Sequence, residues 1–505
     1  MGIRGLRSSL HPSRRRDRRD LGEFAGHGGA RVNAAPAGLE RTPAASKAVD
    51  RIQSQLSDFA ARSRYEALDA DTVHAAKVRV IDTLGALIGG FFGEACRSAR
   101  DIAARMPQSA GATVIGTRLV TSPDVAAFVN ATTARYVEMN DVYHWPGSSG
   151  GHPSDVLTPV LGVAEYTGAS GKALINAIVL AYEVYLRMSD AVRTPGFDCT
   201  NFCTMGVALG AGKLLELGPD ELAEALSMAI VPNNALNQAR TGHLTMWKAV
   251  AAGQAGRAGV FAALLAQAGM KGAHAPFEGK AGWCNHVARR TFSLETFGGR
   301  DAAFRIHDTL IKPRASCATT ISSILAAEIA AAKLTDVEQI EQVRVEVYER
   351  AKTGMGTGEH HWNPDSRETA DHSIPYVVAA TLIDKRLTPA SFGDARLRDP
   401  RLRALLPKIE VVADDAFTAA YERVPVMHCT RVTVRLRDGG CIVGEAGGDK
   451  GDLSQPKTDA EISDKFLALT EGVLGARRAN AALEALWRLE AMPAVTAIPS
   501  LLILA

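Results

Sequence analysis

The sequence is poor in aromatic residues and in cysteine, and each scarcity excludes a class of fold. Aromatic residues make up 6% of the 505 residues, and alanine-rich stretches recur along the chain, which favours close-packed helices over an all-β core. The seven cysteines are odd in number and include no CxxC pair, which excludes a disulfide framework and the common zinc and redox motifs. We therefore expect a mostly α-helical protein of a reducing compartment, the cytoplasm.

An excess of charge of one sign and long hydrophobic runs are also lacking. Lys and Arg number 57 against 55 Asp and Glu, so the formal net charge is +2 and no strong field favours nucleic acid or an anionic membrane. The longest stretches without a charged residue, 225–239 and 491–505, have 15 residues each and contain proline, whereas a membrane-spanning helix needs about 20 apolar residues. We expect neither nucleic acid nor a membrane as a partner, and any anion must bind locally.

The first 45 residues differ from the rest of the chain. Arginines are crowded here, and no helical or strand periodicity follows them, so we expect a disordered extension over 1–45. A mitochondrial targeting segment is the alternative, although Asp17, Asp20 and Glu23 are not typical of such a segment.

Helical periodicity dominates from residue 46 to about residue 309. Apolar residues recur three and four positions apart, as Leu84, Leu87 and Ile88 do, which is the spacing of one helix face. This pattern predicts one large all-helical domain over 46–309. The same spacing returns later in the chain, so helices within 447–505 are expected to complete that domain.

Between the two helical parts the periodicity changes to that of strands. Valines alternate with charged residues over 343–347, and a second alternating run ends at the Asp-Gly-Gly turn 438–440. A helix is predicted between them, over 370–384. The chain over 310–446 is therefore expected to form a smaller α+β domain inserted into the helical one.

Four polar segments interrupt the predicted helices, and chemistry is expected there because packing alone does not require such interruptions. The first, 138–155, contains three carboxylates and two histidines around glycines that allow a substrate to approach the backbone. His152 can exchange a proton near neutral pH. The structural alternative is that Ser154 or Asp155 caps the next helix while His152 is an exposed loop residue.

The second segment, 240–248, ends in Lys248, just before a stretch of small residues that lets helices approach closely. A lysine considered alone is more often exposed than buried. If Lys248 faces the first segment instead, it can bind a carboxylate or transfer a proton.

The third segment, 311–317, lies at the junction of the helical and α+β parts. Lys312 and Arg314 can face a cleft between the two parts, a favoured position for ligands, or can anchor the parts to each other through ion pairs. Cys317 has no CxxC companion and no spaced set of cysteines and histidines, so we do not expect a nucleophile or metal ligand there.

The fourth segment, 362–376, leads into the helix predicted in the α+β part. The phenol of Tyr376 can donate a hydrogen bond, and His372 would share its helix face if both were helical. The alternative is that Asp371 or Ser373 caps that helix.

Several familiar catalytic motifs are missing from the sequence. It contains no GxxxxGK[ST], GxSxG or HExxH, and the glycines of 147–151 lack the strand and GxGxxG context of a dinucleotide site. His360 and His361 are adjacent, so their rings point in different directions and a metal pair is not expected. These residues favour acid–base chemistry on a small anionic molecule, without a metal or another cofactor.

Taken in order, the four segments resemble the signature segments of the MmgE/PrpD family. The resemblance extends from about residue 46 to 489 and includes Asp82-Thr-Leu-Gly-Ala86, His152-Pro-Ser-Asp155, Lys248-Ala-Val-Ala-Ala-Gly253, Ile311-Lys312-Pro313 and the segment from Arg367 to Tyr376. It implies a large all-helical domain with a smaller α+β lid domain, a homodimer, and an active site between the domains that uses neither metal nor iron–sulfur cluster.

By motif position, the resemblance also implies the site residues. The catalytic groups fall on His152, Lys248, Lys312, Tyr376 and Glu138, and the substrate-binding groups on Asn140 and Asp141, to which we add Arg314 as a further cation of the predicted cleft. The chain departs from the family at Val142, where threonine is usual, and after Gly196, where Phe197 or Cys199 replaces a histidine. Both changes favour a less polar pocket and a different or less charged carboxylate.

The activity implied is the dehydration of a small hydroxy di- or tricarboxylate such as 2-methylcitrate, a step of propionate catabolism. Lys248 and Lys312 would pair with substrate carboxylates, His152 would exchange the proton, and Tyr376 or Glu138 would assist the leaving group. One alternative is a cis-aconitate decarboxylase or an epimerase acting on a related carboxylate. Another is a carboxylate-binding protein without catalytic activity.

Overall fold

The computed structural model describes residues 49–504. Both the disordered extension predicted over 1–45 and its targeting alternative lie outside these residues. The described chain is mostly α-helical, as predicted, with two small sheets.

The helices up to residue 267 build the first part of the described chain. They are α1 (Arg51–Arg62), α2 (Ala70–Gly90), α3 (Glu94–Ala103), α4 (Pro123–Tyr136), α5 (Leu157–Tyr166), α6 (Gly171–Ala191), α7 (Thr200–Leu214), α8 (Pro219–Ile230) and α9 (Trp247–Gln267). The all-helical prediction for 46–309 is wrong in two places. An antiparallel hairpin of β1 (Pro107–Thr113) and β2 (Val120–Thr121) precedes α4, and 268–309 contains no α-helix because its apolar residues do not recur at helical spacing.

Helix α9 lies in the core, where small residues allow close contact with α4 and α7. A side chain at Gly253 would place its Cβ 2.2 Å from Thr132 Oγ1 and 2.5 Å from the Phe128 carbonyl oxygen, so only glycine fits. By length and composition α9 could also cross a membrane, but 67% of its apolar window is buried, as in a core helix of a folded domain.

The chain over 310–456 combines short helices with a four-stranded sheet. Its elements are α10 (Ile321–Lys333), β3 (Ile340–Val347), α11 (Glu349–Met355), α12 (Glu359–Trp362), α13 (Arg367–Ala370), α14 (Ile374–Asp384), α15 (Asp394–Leu397), α16 (Pro400–Leu405), β4 (Ile409–Ala413), α17 (Asp415–Tyr421), β5 (Thr430–Leu436) and β6 (Cys441–Ala446). The strand order is β4-β3-β5-β6. Strands β3 and β4 run parallel, with Val345 opposite Val411, and the other pairs are antiparallel.

The predicted strands are confirmed in this sheet. The valines of 343–347 lie in β3, and the turn 438–440 joins β5 to β6. The sequence did not predict β4, because its apolar residues Val411, Val412 and Ala413 are consecutive and do not alternate with polar ones. The predicted helix begins later, at Ile374, because the Ser373 hydroxyl caps it by accepting a hydrogen bond from the Tyr376 backbone N–H at 3.0 Å.

The chain ends in α18 (Asp459–Leu474), α19 (Ala476–Trp487) and α20 (Ala497–Leu501), close to the predicted helices. Helix α18 packs on α2, where Lys465 forms an ion pair with Asp82. The apolar residues of these last helices join the same hydrophobic cluster as those of α1, α2 and α4–α9, whereas a second cluster takes most of its members from 315–453. That this second part acts as a lid domain stays a prediction.

The second hydrophobic cluster also includes Val137, Met139 and Val142, which follow α4. The polar loop predicted to hold the catalytic groups therefore lies where the two clusters meet.

Two glycine substitutions test the packing. We expect Gly253→Ala to lower the free energy of unfolding by about 1–3 kcal/mol, because the added methyl group would overlap α4. Gly472→Ala, in α18, should raise it by about 0.5–1 kcal/mol, because its Cβ meets no atom within 4 Å and alanine favours a helix. Urea unfolding measures both, and shifts of the same sign would contradict the packing described here.

Candidate active site

The first polar segment begins with a sharp turn at the end of α4. Glu138 has a φ of 57°, in the left-handed region that residues other than glycine seldom adopt. Its side chain is fully buried. The turn places a carboxylate inside the protein, where it requires positively charged partners.

Three cations surround the Glu138 carboxylate. Arg135 and Lys248 contact Oε2, with Lys248 Nζ at 2.9 Å, and Lys312 Nζ lies 2.9 Å from Oε1. Burial opposes ionisation of Glu138, but Arg135, Lys248 and Lys312 outweigh it and hold the pKa of Glu138 well below its ordinary value. The structure thus brings together three of the predicted residues. Lys248 is only 2% exposed, so the expectation of a solvated lysine is wrong.

Lys248 has a second buried partner, Asp371. Its Nζ lies 2.8 and 3.0 Å from the two carboxylate oxygens, and Asp371 also contacts Nδ1 of His372. Burial raises the pKa of Asp371, but Lys248 and His372 outweigh this effect and hold the pKa below its ordinary value. Asp371 was considered above only as a helix cap. It belongs instead to a buried cluster of charged residues, called the ionic cluster below, which consists of Arg135, Glu138, Lys248, Lys312 and Asp371.

His152 lies at the edge of this cluster, with 12% of its side chain exposed. Its Nδ1 is 2.8 Å from the Asp141 carbonyl oxygen, and its Nε2 is 3.6 Å from Glu138 Oε1. Because a carbonyl oxygen only accepts, Nδ1 carries a proton. Burial and Arg135 lower the pKa of His152 well below its ordinary value and outweigh Glu138, so the ring is neutral and Nε2 holds a lone pair.

The remaining polar residues of the loop hold its shape. The Asn140 amide donates to Ser154 Oγ at 2.9 Å, and Asp141 Oδ1 accepts from the Ser154 backbone N–H at 2.9 Å. Neither Ser154 nor Asp155 caps α5 through its side chain. That Asn140 and Asp141 also bind substrate stays a prediction.

Asp155 predicts a measurable pH dependence of stability. Burial raises the pKa of Asp155 to about 7, although Arg135 lies 3.6 Å away and opposes the rise. Since the folded pKa exceeds the unfolded one, this contribution to stability is present below about pH 4 and is lost as the pH rises through 7. Asp155→Asn should stabilise the protein by on the order of 2–4 kcal/mol at pH 8 and by less at pH 5. Thermal unfolding at the two pH values measures this, and equal shifts would contradict it.

Two predicted residues lie away from the ionic cluster. The Tyr376 hydroxyl donates to the Ser391 carbonyl oxygen at 2.7 Å, and its ring stacks on Phe392. Because α14 begins only at Ile374, His372 does not share a helix face with Tyr376. The structure therefore gives no support to a role of Tyr376 in catalysis.

Arg314 also lies outside the cluster. It forms two hydrogen bonds with Glu328, at 2.7 and 2.6 Å. Glu328 lies in α10, in the same part of the chain as Arg314, so this pair does not anchor the two parts to each other, and that Arg314 binds substrate stays a prediction.

Three members of the site were missed from sequence. Arg135 lies three residues before Glu138 at the end of α4, a spacing that could have indicated the pair. Asp371 gave no such signal, because its partner Lys248 is 123 residues away. His372 interacts with the Cys317 thiol and, despite burial, lowers the pKa of Cys317 to about 7, which no pattern around this cysteine indicated.

A cavity of about 330 Å³ lies beside the same loop. Its walls include His144, Tyr348 and Tyr421, with Arg193 and Arg350 at its exposed side. Two arginines can bind carboxylates through paired hydrogen bonds. Among residues 49–504, no group of three or more His, Cys, Asp or Glu side chains is arranged to hold a metal ion.

Comparison with known families finds a match for each of the two parts of the chain. The model of the MmgE/PrpD N-terminal domain matches residues 54–295, and that of the MmgE/PrpD C-terminal domain matches residues 315–490. The chain belongs to the MmgE/PrpD family.

Similar MmgE/PrpD proteins are named as enzymes of two kinds. A 2-methylcitrate dehydratase of Salmonella typhi is 29% identical over 356 residues, which cover 65% of this chain and 71% of the relative. A mitochondrial 2-methylcitrate dehydratase of Yarrowia lipolytica is 26% identical, covering 77% and 78% of the two chains. The human cis-aconitate decarboxylase is 24% identical, covering 78% of this chain and 83% of the relative.

The departures from the MmgE/PrpD pattern involve buried or partly buried residues. The backbone of Val142 pairs with Leu310, and its side chain joins the second hydrophobic cluster. The backbone of Phe197 pairs with Leu236, and the side chains of Phe197 and Cys199 pack against the first cluster. These positions add apolar surface instead of the hydroxyl and imidazole usual in the family.

Proposed function

We propose that this protein is a lyase that dehydrates a small hydroxy di- or tricarboxylate, with 2-methylcitrate as the first candidate substrate. The observation that carries the proposal is the Glu138 carboxylate, held ionised by Lys248 and Lys312 with a neutral His152 beside it. Dehydration of a β-hydroxy acid needs a base for the proton next to a carboxylate, and cations for the charge that develops there.

His152 is suited to the role of the base. The Asp141 carbonyl oxygen fixes the proton on Nδ1 and leaves the Nε2 lone pair free to take a proton from substrate carbon. The imidazolium that forms would lie 3.6 Å from the Glu138 carboxylate. Glu138 thus stabilises the product of the proton transfer without being protonated itself.

The ionic cluster is suited to an anionic substrate. Arg135, Lys248 and Lys312 supply three positive charges, Glu138 and Asp371 oppose them as ionised carboxylates, and Asp155 beside Arg135 is only partly ionised near pH 7. The remaining positive charge favours an anion and the enolate-like charge of the intermediate. Arg193 and Arg350 at the neighbouring cavity can hold further carboxylates.

A decarboxylase is the second candidate. The human cis-aconitate decarboxylase aligns over 78% of this chain, a share similar to the 77% covered by the Yarrowia lipolytica dehydratase. The same cations would stabilise a carbanion formed by loss of carbon dioxide, and a nearby acid would protonate it. We further propose a cytoplasmic homodimer that needs no metal or other cofactor, as the family resemblance implies.

The deciding experiment offers the purified protein 2-methylcitrate, citrate and cis-aconitate. Ultraviolet absorbance follows a new conjugated double bond, and trapped carbon dioxide reports decarboxylation. A rise in absorbance with a hydroxy acid supports the dehydratase, and release of carbon dioxide supports the decarboxylase. Thermal stabilisation without turnover would overturn both and favour a binding protein.

Two lysine variants link any activity to this site. Lys248→Ala should abolish turnover because it removes a cation from the Glu138 carboxylate. Lys271→Ala, at an exposed lysine 3.9 Å from Glu224, is the matched control and should leave turnover unchanged. Retained activity in Lys248→Ala would place the reaction elsewhere.

A further inference from the structure

A second chain of hydrogen bonds leads from the cavity into the protein interior. His144 Nδ1 lies 3.0 Å from His428 Nε2, and His428 Nδ1 lies 3.0 Å from Asp452 Oδ1. His144 lines the 330 Å³ cavity, whereas the side chains of His428 and Asp452 are 1% and 3% exposed. None of the three belongs to the ionic cluster around Glu138.

Asp452 is an ionised carboxylate. Besides His428 Nδ1, it accepts hydrogen bonds from the backbone N–H groups of His428, Gly448 and Ser454 and from the Ser454 hydroxyl. Burial opposes ionisation, but these bonds and His428 hold the pKa of Asp452 well below its ordinary value. Within residues 49–504, His428 is its only ion-pair partner. Because a carboxylate oxygen only accepts, His428 Nδ1 carries a proton and donates it to Asp452.

The charge on His428 determines where His144 carries its proton. With an imidazolium at His428, Nδ1 donates to Asp452 and Nε2 donates to His144 Nδ1. His144 Nδ1 is then an acceptor, and its proton lies on Nε2. Burial, His428, Arg350 and Lys312 lower the pKa of His144 well below its ordinary value, so the ring is neutral.

We propose that His428 is an imidazolium and that His144, backed by His428 and Asp452, is the acid that protonates the departing hydroxyl group of a substrate that reaches into the 330 Å³ cavity. His144 gives its Nε2 proton to the oxygen and takes the Nε2 proton of His428 on its own Nδ1. The carbon–oxygen bond breaks, its electron pair leaves with the oxygen, and water forms. His144 is the catalytic residue, and His428 and Asp452 are positioning residues.

The protons balance over one turnover. The base, His152 in the proposed function, gains the proton of the substrate carbon, and the electron pair of that bond becomes the new double bond. His428 loses one proton through His144. Release of the His152 proton to water and return of a proton to His428 restore the starting state. His144 never carries a positive charge beside Arg350 and Lys312, because it gives up its Nε2 proton as it receives the proton of His428.

This inference rests on the proposed function, and a change of leaving group tests it separately. In a fluoro analogue of the hydroxy acid, fluoride replaces hydroxide as the leaving group and departs without needing a proton. We expect His144→Gln and His428→Gln to lower kcat for the hydroxy acid by ~10²–10⁴ and to change kcat for the fluoro analogue by less than ~10-fold, with KM little altered. His152→Asn should lose activity toward both substrates.

The control is another histidine paired with an aspartate. His74 lies 2.9 Å from Asp459, with 46% of its side chain exposed, and His74→Gln should leave both reactions unchanged. Equal losses with the two leaving groups in His144→Gln and His428→Gln, or no loss, would overturn the relay as the acid.

A measurement on the wild-type protein does not depend on activity or on the folding of a variant. Nitrogen-15 NMR of histidine-labelled protein should show both nitrogens of His428 protonated and His144 protonated on Nε2 only. A neutral His428, or a proton on His144 Nδ1, would overturn the relay even in an active enzyme. If the wild type eliminates neither water nor fluoride from the carboxylates tested, the proposed function fails, and the NMR result alone decides whether the relay exists.

Discussion

Glu138→Gln is expected to lower the free energy of unfolding by about 3–5 kcal/mol. The substitution keeps the size of the side chain and removes the only charge that Arg135, Lys248 and Lys312 share. Each cation is almost completely buried, so none can turn to solvent when its partner becomes neutral. Urea unfolding followed by circular dichroism measures the loss, and turnover should fall with it because the charge beside His152 disappears.

The matched control is Glu328→Gln. Glu328 pairs with Arg314, and both side chains remain partly exposed, so its loss should cost about 1 kcal/mol or less. Adding Lys312→Met to Glu138→Gln should recover part of the stability, because it removes one of the cations left without a partner. A Glu138→Gln protein no less stable than Glu328→Gln would show that Glu138 does not hold the cluster together.

His152→Asn is expected to lower kcat by ~10²–10⁴, the usual contribution of a general base, while the protein remains folded. The asparagine amide can replace Nδ1 as the donor to the Asp141 carbonyl oxygen, so the loop keeps its hydrogen bond. It has no group at the position of Nε2, so the proton acceptor is lost. Steady-state kinetics on the substrate found above should show the loss in kcat and not in KM.

His243→Asn is the control for this variant. The His243 side chain is 61% exposed and pairs with Asp365 outside the ionic cluster, so its replacement should leave kcat and stability unchanged. Unchanged turnover in His152→Asn would remove His152 from the mechanism and leave His144 as the histidine to test.

Periodicity predicted those elements that have enough residues to show it. The apolar spacing at residues 84–88 lies within α2, and the alternation over 343–347 lies within β3, so both elements were indicated by their sequence pattern. The five residues of β4 do not alternate apolar and polar side chains throughout. This strand forms because β3 supplies a partner. The spacing of apolar residues along the sequence indicates which face of an element is apolar. It does not indicate which distant segment completes a sheet.

The sequence by itself determined the helical class, two runs of strand residues, the family and the residue types of the candidate site. Only the tertiary structure decided which of those residues meet. Lys312 reaches Glu138 across 174 residues, and His144 reaches His428 across 284, whereas Tyr376 and Arg314 turn to other partners. The physical reason is that a buried charge is stabilised by its neighbours in space, and packing between helices and sheet selects those neighbours without leaving a pattern in nearby sequence.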